Sequence, residues 1–233
     1  MLAEAVMAGT VGGLLWLDKF QVLQLMISRP VVSGPIVGYV VGDLSSGLAT
    51  GILFELLWLR RPPVGGHISP DVTFGAIATS AVSAWVVVNT KMDLLSVVFL
   101  TFLVLFPVCY LGTRVDSSLR HYTGKIALRV EPMLETGREG RVIENLLLGL
   151  ATGFLFAFVF LVSSILFGMI AVSTIIHFLP HSFLRAAGMA YYVVPLVGVA
   201  DLLVATEQRD NLILFLVSFV AALGVGFIVS LPR

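Results

Sequence analysis

The sequence predicts an all-α, polytopic membrane protein with about 6–9 membrane segments, re-entrant hairpins among them. Two observations carry this reading. Hydrophobic residues make up 58% of the 233 positions and charged residues only 12%. A soluble domain carries roughly 25% charge, so there is too little here to coat a water-exposed surface. The apolar residues are also gathered into long runs, several near the 20 or so that a helix needs to cross the hydrocarbon core. The mean hydropathy of +1.02 agrees.

The runs follow in order. Residues 5–17 are apolar but short, and end at Asp18-Lys19. Residues 31–59 are apolar yet carry Pro35, Gly38, Gly42, Asp43, Gly47, Gly51 and Glu55. Residues 72–89 and 94–112 read as ordinary spans separated by Lys91-Met92-Asp93. Residues 145–176 exceed the length of one crossing, 186–205 contain Pro195, Gly198 and Asp201, and 212–231 form a last span. The start, Met1-Leu2-Ala3-Glu4, lacks the basic leader and polar cleavage region of a removable signal peptide, so insertion as an uncleaved polytopic chain is expected.

One stretch differs in kind. Residues 114–144 hold six basic and five acidic side chains, a large share of the 14 and 14 in the chain. It is expected to be partly helical and to lie at the membrane surface. It divides the chain into an N-terminal membrane half (1–113), a polar cytoplasmic or interfacial segment (114–144) and a C-terminal membrane half (145–233). Basic loops tend to remain in the cytoplasm, which places this segment inside; Arg60-Arg61 form a competing cluster. The two halves share one echo. Pro35-Ile36-Val37-Gly38 parallels Pro195-Leu196-Val197-Gly198, each followed by an aspartate, Asp43 or Asp201. Transporters often carry such broken segments in both halves, so the pair reads as a weak inverted repeat.

Several functions are disfavoured. The balanced charge gives no basic field for nucleic acid. One cysteine, Cys109, excludes an internal disulfide and a cysteine-rich metal site, and four scattered histidines argue against a zinc enzyme. No nucleophile elbow, phosphate loop or His-Glu-x-x-His motif occurs. No cofactor, metal or catalytic residue is expected.

The informative region is 28–71. Its glycines at 34, 38, 42, 47 and 51 permit the close backbone approach found where membrane helices pack. Pro62-Pro63 and Gly65-Gly66 cannot continue a helix. Non-helical backbone at membrane depth survives only inside protein or beside a wet cavity, so broken helical hairpins around a cavity are expected. Glu55 lies within an apolar run, where an ionised carboxylate costs on the order of 3 kcal/mol. It reads as an acceptor for sugar hydroxyls or an ion-pair partner in that cavity, or else as an interfacial group. Asp71, after Ser69-Pro70, reads equally as the cap of the helix beginning at Val72 and as a substrate ligand. His67 could donate to a polar ligand or simply be solvated. Asp18, Lys19 and Gln21 either end the first helix or line the entrance to a site. Asp43 marks a turn, Arg29 reads as a surface anchor, and Tyr191 and Tyr192 could hydrogen-bond a ligand or, by the simpler reading, sit in the aromatic belt.

The ordered set Leu17-Asp18-Lys19-Phe20-Gln21, Ser28-Arg29-Pro30, Gly38, Gly42-Asp43, Gly47, Gly51, Glu55-Leu56, Pro63-Val64-Gly65 and Pro70-Asp71 resembles the IIC subunit of the mannose/fructose/sorbose family of the sugar phosphotransferase system (PTS). Outside these 55 or so residues the likeness rests on length, hydropathy and the placement of the polar segment. The resemblance implies a multi-pass subunit of the bacterial inner membrane that works with a IID membrane subunit in an oligomeric, trimeric assembly. A hexose crosses through IIC and IID and is phosphorylated by cytoplasmic IIA and IIB, so phosphoryl transfer resides in partner subunits. By position, the resemblance points to Glu55 and Asp71 as sugar-site residues, with Asp18 and Gln21 behind them. Arg60-Arg61 and His67 depart from the family's small or apolar residues beside that site. They leave a second reading open, a divergent PTS scaffold or sensor that moves no sugar. A third is an unrelated permease or membrane enzyme.

Overall fold

A computed structural model describes residues 1–19, 21–22, 24–58, 70–135 and 139–205, and among these the regular structure is eight α-helices with no strand. They are α1 (Leu2–Leu17), α2 (Pro30–Val41), α3 (Leu44–Leu57), α4 (Val72–Thr90), α5 (Leu94–Glu135), α6 (Glu139–Phe178), α7 (His181–Tyr191) and α8 (Val193–Ala205). The apolar run at 212–231 and residues 59–69, with Arg60, Arg61 and His67, lie outside the described residues. Within them, α4, α5, α6 and the α7–α8 pair are long and apolar enough to cross a membrane.

The bundle forms around α4. Its small side chains let neighbours approach, and 13 of its 19 residues are buried. Trp16 of α1, Phe74 and Ile77 of α4, Leu105 of α5 and Leu161, Ile165 and Met169 of α6 form the largest core cluster. The α1 face toward this core is glycine. A β-carbon at Gly12 would lie 2.6 Å from Ile77, and one at Gly9 2.5 Å from Val162 of α6. Large apolar side chains such as Leu103, Leu111, Phe167 and Ile170 point outward. That inversion is expected where the surrounding solvent is lipid.

The broken region 31–59 becomes a helical hairpin. Gly42 takes a left-handed conformation (φ 115°) to end α2, and the Asp43 side chain then accepts from the backbone N–H groups of Ser45 (3.2 Å) and Ser46 (3.0 Å) to start α3. Asp43 is thus the turn residue its sequence context suggests. At 12 and 14 residues, α2 and α3 reach only about 18 and 21 Å, short of a hydrocarbon core of about 30 Å. Their glycines interlock. A β-carbon at Gly38 would fall 2.7 Å from the Asp43 carbonyl oxygen and 2.7 Å from the Gly47 Cα, and one at Gly34 2.6 Å from the Gly47 carbonyl oxygen. The hairpin tip reaches Val88 near the end of α4, while Phe54 lies against Gly75 near its start.

The polar segment 114–144 is helical over its described residues: α5 continues into it to Glu135 and α6 opens at Glu139. Helices are indifferent to where hydropathy falls, and this stretch supplies its own support. Arg120 pairs with Asp116 one turn away (3.1 Å), and Ser118 and Thr123 bond back to carbonyls in their own helix. The run 186–205 is likewise two helices, α7 and α8, joined at Tyr192.

The hairpin contact yields a direct expectation. Gly38→Val forces α2 and α3 apart and lowers stability by about 1–3 kcal/mol, the usual cost of overpacking. Gly124→Ala, where an added β-carbon meets nothing within 4 Å, leaves the melting temperature equal or raised. Thermal melting of the detergent-solubilised protein reads both, and equal melting of the two variants would contradict the interlock.

Candidate functional site

Four of the five residues singled out by sequence lie among the described residues, at the end of the bundle where α1 stops and α4 begins. Asp71 is the most thoroughly engaged. Its Oδ1 accepts from the backbone N–H groups of Thr73 (3.1 Å) and Phe74 (3.3 Å), capping α4. Its Oδ2 accepts from the indole Nε1 of Trp16 (3.0 Å) and pairs with Lys19 Nζ (2.9 Å). Its own backbone N–H reaches the Cys109 carbonyl on α5 (2.9 Å). Trp16 also stacks on Phe74, with ring centroids 4.9 Å apart. The carboxylate is 1% exposed and both oxygens are used. The cap expected from sequence is formed, and a sugar hydroxyl would reach this carboxylate only by displacing a protein donor.

Asp18 is used in the same way. Its carboxylate accepts from Leu25 N–H (2.8 Å) and Ser28 N–H (3.3 Å), and so folds the loop between α1 and α2 around itself. Gln24 and Met26 in that loop have positive φ values of 53° and 63°. The carboxylate holds that strained backbone in place.

Gln21 and Glu55 have different surroundings. The Gln21 side chain lies against Gly153 of α6, which has no β-carbon to displace it, and its buried Oε1 has no hydrogen-bond partner among the described residues. A buried acceptor without a donor costs on the order of 1–3 kcal/mol, a cost that a ligand hydroxyl would relieve. Glu55 pairs through Oε1 with Arg29 Nη2 (3.1 Å), and its Oε2 accepts a long hydrogen bond from Val31 N–H (3.4 Å) in the first turn of α2. It therefore closes the open end of the hairpin. Arg29, 53% exposed, is thus the ion-pair partner of Glu55. Gly198 of α8 comes against the carbonyl of Leu56, the neighbour of Glu55. His67 lies outside the described residues.

Sequence reasoning missed Trp16 as the indole donor to Asp71. The two are 55 positions apart on different helices, and no spacing rule connects them. Tyr191 was assigned to the aromatic belt. It is instead buried, and its hydroxyl donates to the Ala49 carbonyl of α3 (2.7 Å), tying α7 to the hairpin. Tyr192 is exposed, in keeping with the belt. No group of three or more potential metal ligands occurs among the described residues.

The Asp71 arrangement makes a two-part prediction. Asp71→Ala strands the Lys19 ammonium and the Trp16 indole, and should cost about 3–5 kcal/mol. Adding Lys19→Met to Asp71→Asn removes the charge while keeping an acceptor for the helix amides, and should recover a large part of that loss. Melting of the three proteins tests this, and equal destabilisation by both variants would refute the ion pair.

Comparison with known proteins places this geometry. The chain aligns over 80 residues, at 41% identity, with the putative N-acetylgalactosamine permease IIC component 2 of Escherichia coli (strain K12); the aligned part is 34% of this chain and spans 59% of that relative. The fold is shared with a solved structure described as a membrane protein (TM-score 0.64, 18% identity, 98% of this chain and 92% of that one). It is also shared with a chain in the cryo-EM structure of the mannose transporter ManYZ with microcin E492 (TM-score 0.58, 18% identity, 98% and 93%). The sequence model described as the PTS system sorbose-specific IIC component matches residues 2–231, and the chain therefore belongs to that family of multi-pass membrane proteins.

Proposed function

We propose that this chain is the membrane IIC subunit of a mannose-family PTS permease, carrying a hexose or N-acetylhexosamine across the membrane. The observation that carries the reading is the family match over residues 2–231. The wider class of sugar takes its support from the name of the E. coli relative. By the same reading the protein sits in a bacterial inner membrane and pairs with a IID subunit in a trimeric assembly. Cytoplasmic IIA and IIB phosphorylate the emerging sugar. The charged end of α5 and α6 then faces the cytoplasm, following the positive-inside rule.

The site residues divide into two roles. Gln21 and Glu55 are the proposed sugar contacts. Gln21 offers an acceptor with no partner among the described residues. Glu55 sits 14% exposed at the open end of the hairpin, where sugar hydroxyls could replace its long bond to Val31 N–H. Asp18 and Asp71 are positioning residues, since the protein's own donors occupy them. His67, singled out by sequence, completes the proposed set as a donor. The interlocked α2–α3 pair acts as a re-entrant unit, and transport proceeds by rigid-body movement of a core against a scaffold.

Labelled-sugar uptake in cells expressing all partner subunits tests the reading. Mannose, fructose, sorbose and N-acetylgalactosamine are the probes, and at least one should accumulate as its phosphate only when this chain is present. No accumulation of any of them would overturn the transport reading. Glu55→Gln keeps the shape but weakens a charge-assisted bond of about 1.5–3 kcal/mol, so uptake should fall by roughly ten-fold or more at unchanged membrane insertion. Uptake equal to wild type would remove Glu55 from the sugar path.

A further inference from the structure

At the opposite end of the bundle from Asp71, the turn between α4 and α5 and the first helix after α6 line an open cavity of about 590 Å³, with Asp93, His181 and Arg185 exposed at it. Its wall is largely apolar, with Leu95 of α5 and Leu184 and Met189 of α7 among the lining residues. Its polar groups are few and of both signs: Asp93 from the turn, and His181 and Arg185 one helical turn apart on α7. The helix packs tightly at this point. A β-carbon at Gly188 would lie 2.8 Å from Ser96 Oγ and 3.1 Å from Asp93 Oδ2.

The charges are the informative feature. Asp93 Oδ2 accepts from the backbone N–H (3.0 Å) and hydroxyl (2.7 Å) of Ser96, capping α5, while Oδ1 has no partner among the described residues. Arg185 makes no ion pair there either. A carboxylate and a guanidinium thus line one cavity without closing on each other. The setting is also that of a membrane surface. The cavity lies at the polar turn between two candidate spans, and Phe178 (79% exposed), Phe183, Met189 and Tyr192 project around it. On α7 itself, Leu184 and Ala187 are buried while Phe183 and Met189 are exposed, so the helix turns an apolar face outward beside the cavity.

We propose that this cavity is a binding site for one zwitterionic phospholipid with a primary amine, an ethanolamine phospholipid. Arg185 and His181 receive the phosphate, for which a guanidinium fork is well matched. Asp93 Oδ1 receives the ammonium. The leucine and methionine wall receives the start of an acyl chain. A purely anionic headgroup would leave Asp93 facing a like charge, and a trimethylated amine would have no N–H to donate to it. The cavity volume lies within the ordinary range for small-molecule sites. The site stands apart from Glu55 and Gln21, so it can be right whether or not the sugar assignment is.

The test is lipid retention by the complex purified from its native membranes, delipidated, and exchanged against phosphatidylethanolamine, phosphatidylglycerol or phosphatidylcholine of matched acyl chains. Native mass spectrometry reads the bound lipid. Phosphatidylethanolamine should be retained in preference to both others. Arg185→Gln and Asp93→Asn should each lower its retention about five- to ten-fold, as expected for one charge-assisted contact. Asparagine can still accept from Ser96, so Asp93→Asn preserves the α5 cap, and it should also bring phosphatidylglycerol up to parity. The proposal is overturned if wild type retains phosphatidylglycerol or phosphatidylcholine equally well. It is overturned too if neither substitution changes retention, or if added hexose rather than lipid protects an Arg185→Cys variant from thiol labelling.

Discussion

The end of the bundle that holds the candidate site depends on one buried carboxylate. A helix that begins where water is scarce must satisfy its first N–H groups from within the protein. Asp71 does this for α4 with one oxygen and gathers Trp16 and Lys19 with the other. Lys19 is thereby fixed at the start of the loop that folds around Asp18, and that loop delivers Arg29 to Glu55. The order of contacts runs from the α4 cap to the open end of the hairpin through polar groups alone. Asp71 and Glu55 are paired with Lys19 and Arg29, and Asp18 is met by backbone N–H groups, so these carboxylates avoid the cost of an isolated buried charge.

The hairpin supplies the complementary constraint. Gly34, Gly38 and Gly47 bring two backbones into contact, so α2 and α3 cannot slide past each other without a clash between main-chain atoms. The pair is shorter than the bilayer core and is held from outside by Tyr191, whose hydroxyl meets the Ala49 carbonyl, and by Gly198 of α8 against Leu56. Both Pro-x-Val-Gly segments thus place their glycine against α3 or its cap. The sequence echo between the two halves has a shared structural use, close approach to one helix.

What could be read from the sequence was local. Ser-Pro-Asp-Val announces a capped helix start, Gly42-Asp43 a left-handed stop followed by a cap, and the spacing of glycines a close helical pair. The span at 72–89 ended within a residue of its expected place, because Lys91 and Asp93 interrupt both hydropathy and helix. What could not be read was non-local or blind to hydropathy. Trp16 to Asp71 and Tyr191 to Ala49 are single hydrogen bonds between helices, and such bonds leave no periodic trace. The continuation of α5 through the charged segment was hidden because charge marks where lipid ends and says nothing of where a helix ends. The roles of Asp18 and Asp71 turned on how many donors the fold would bring to them, a count that only three-dimensional packing determines.

The uninterrupted length of α5 and α6 has a mechanical consequence. At 42 and 40 residues they extend about 60 Å, roughly twice the hydrocarbon thickness. A packed pair of that length behaves as a lever with its fulcrum in the bilayer. A tilt of about 10° at the membrane would swing a tip about 30 Å away through on the order of 5 Å. Rearrangements too small to notice among the buried helices would be broadcast to the aqueous side as displacements large enough for a soluble protein to sense.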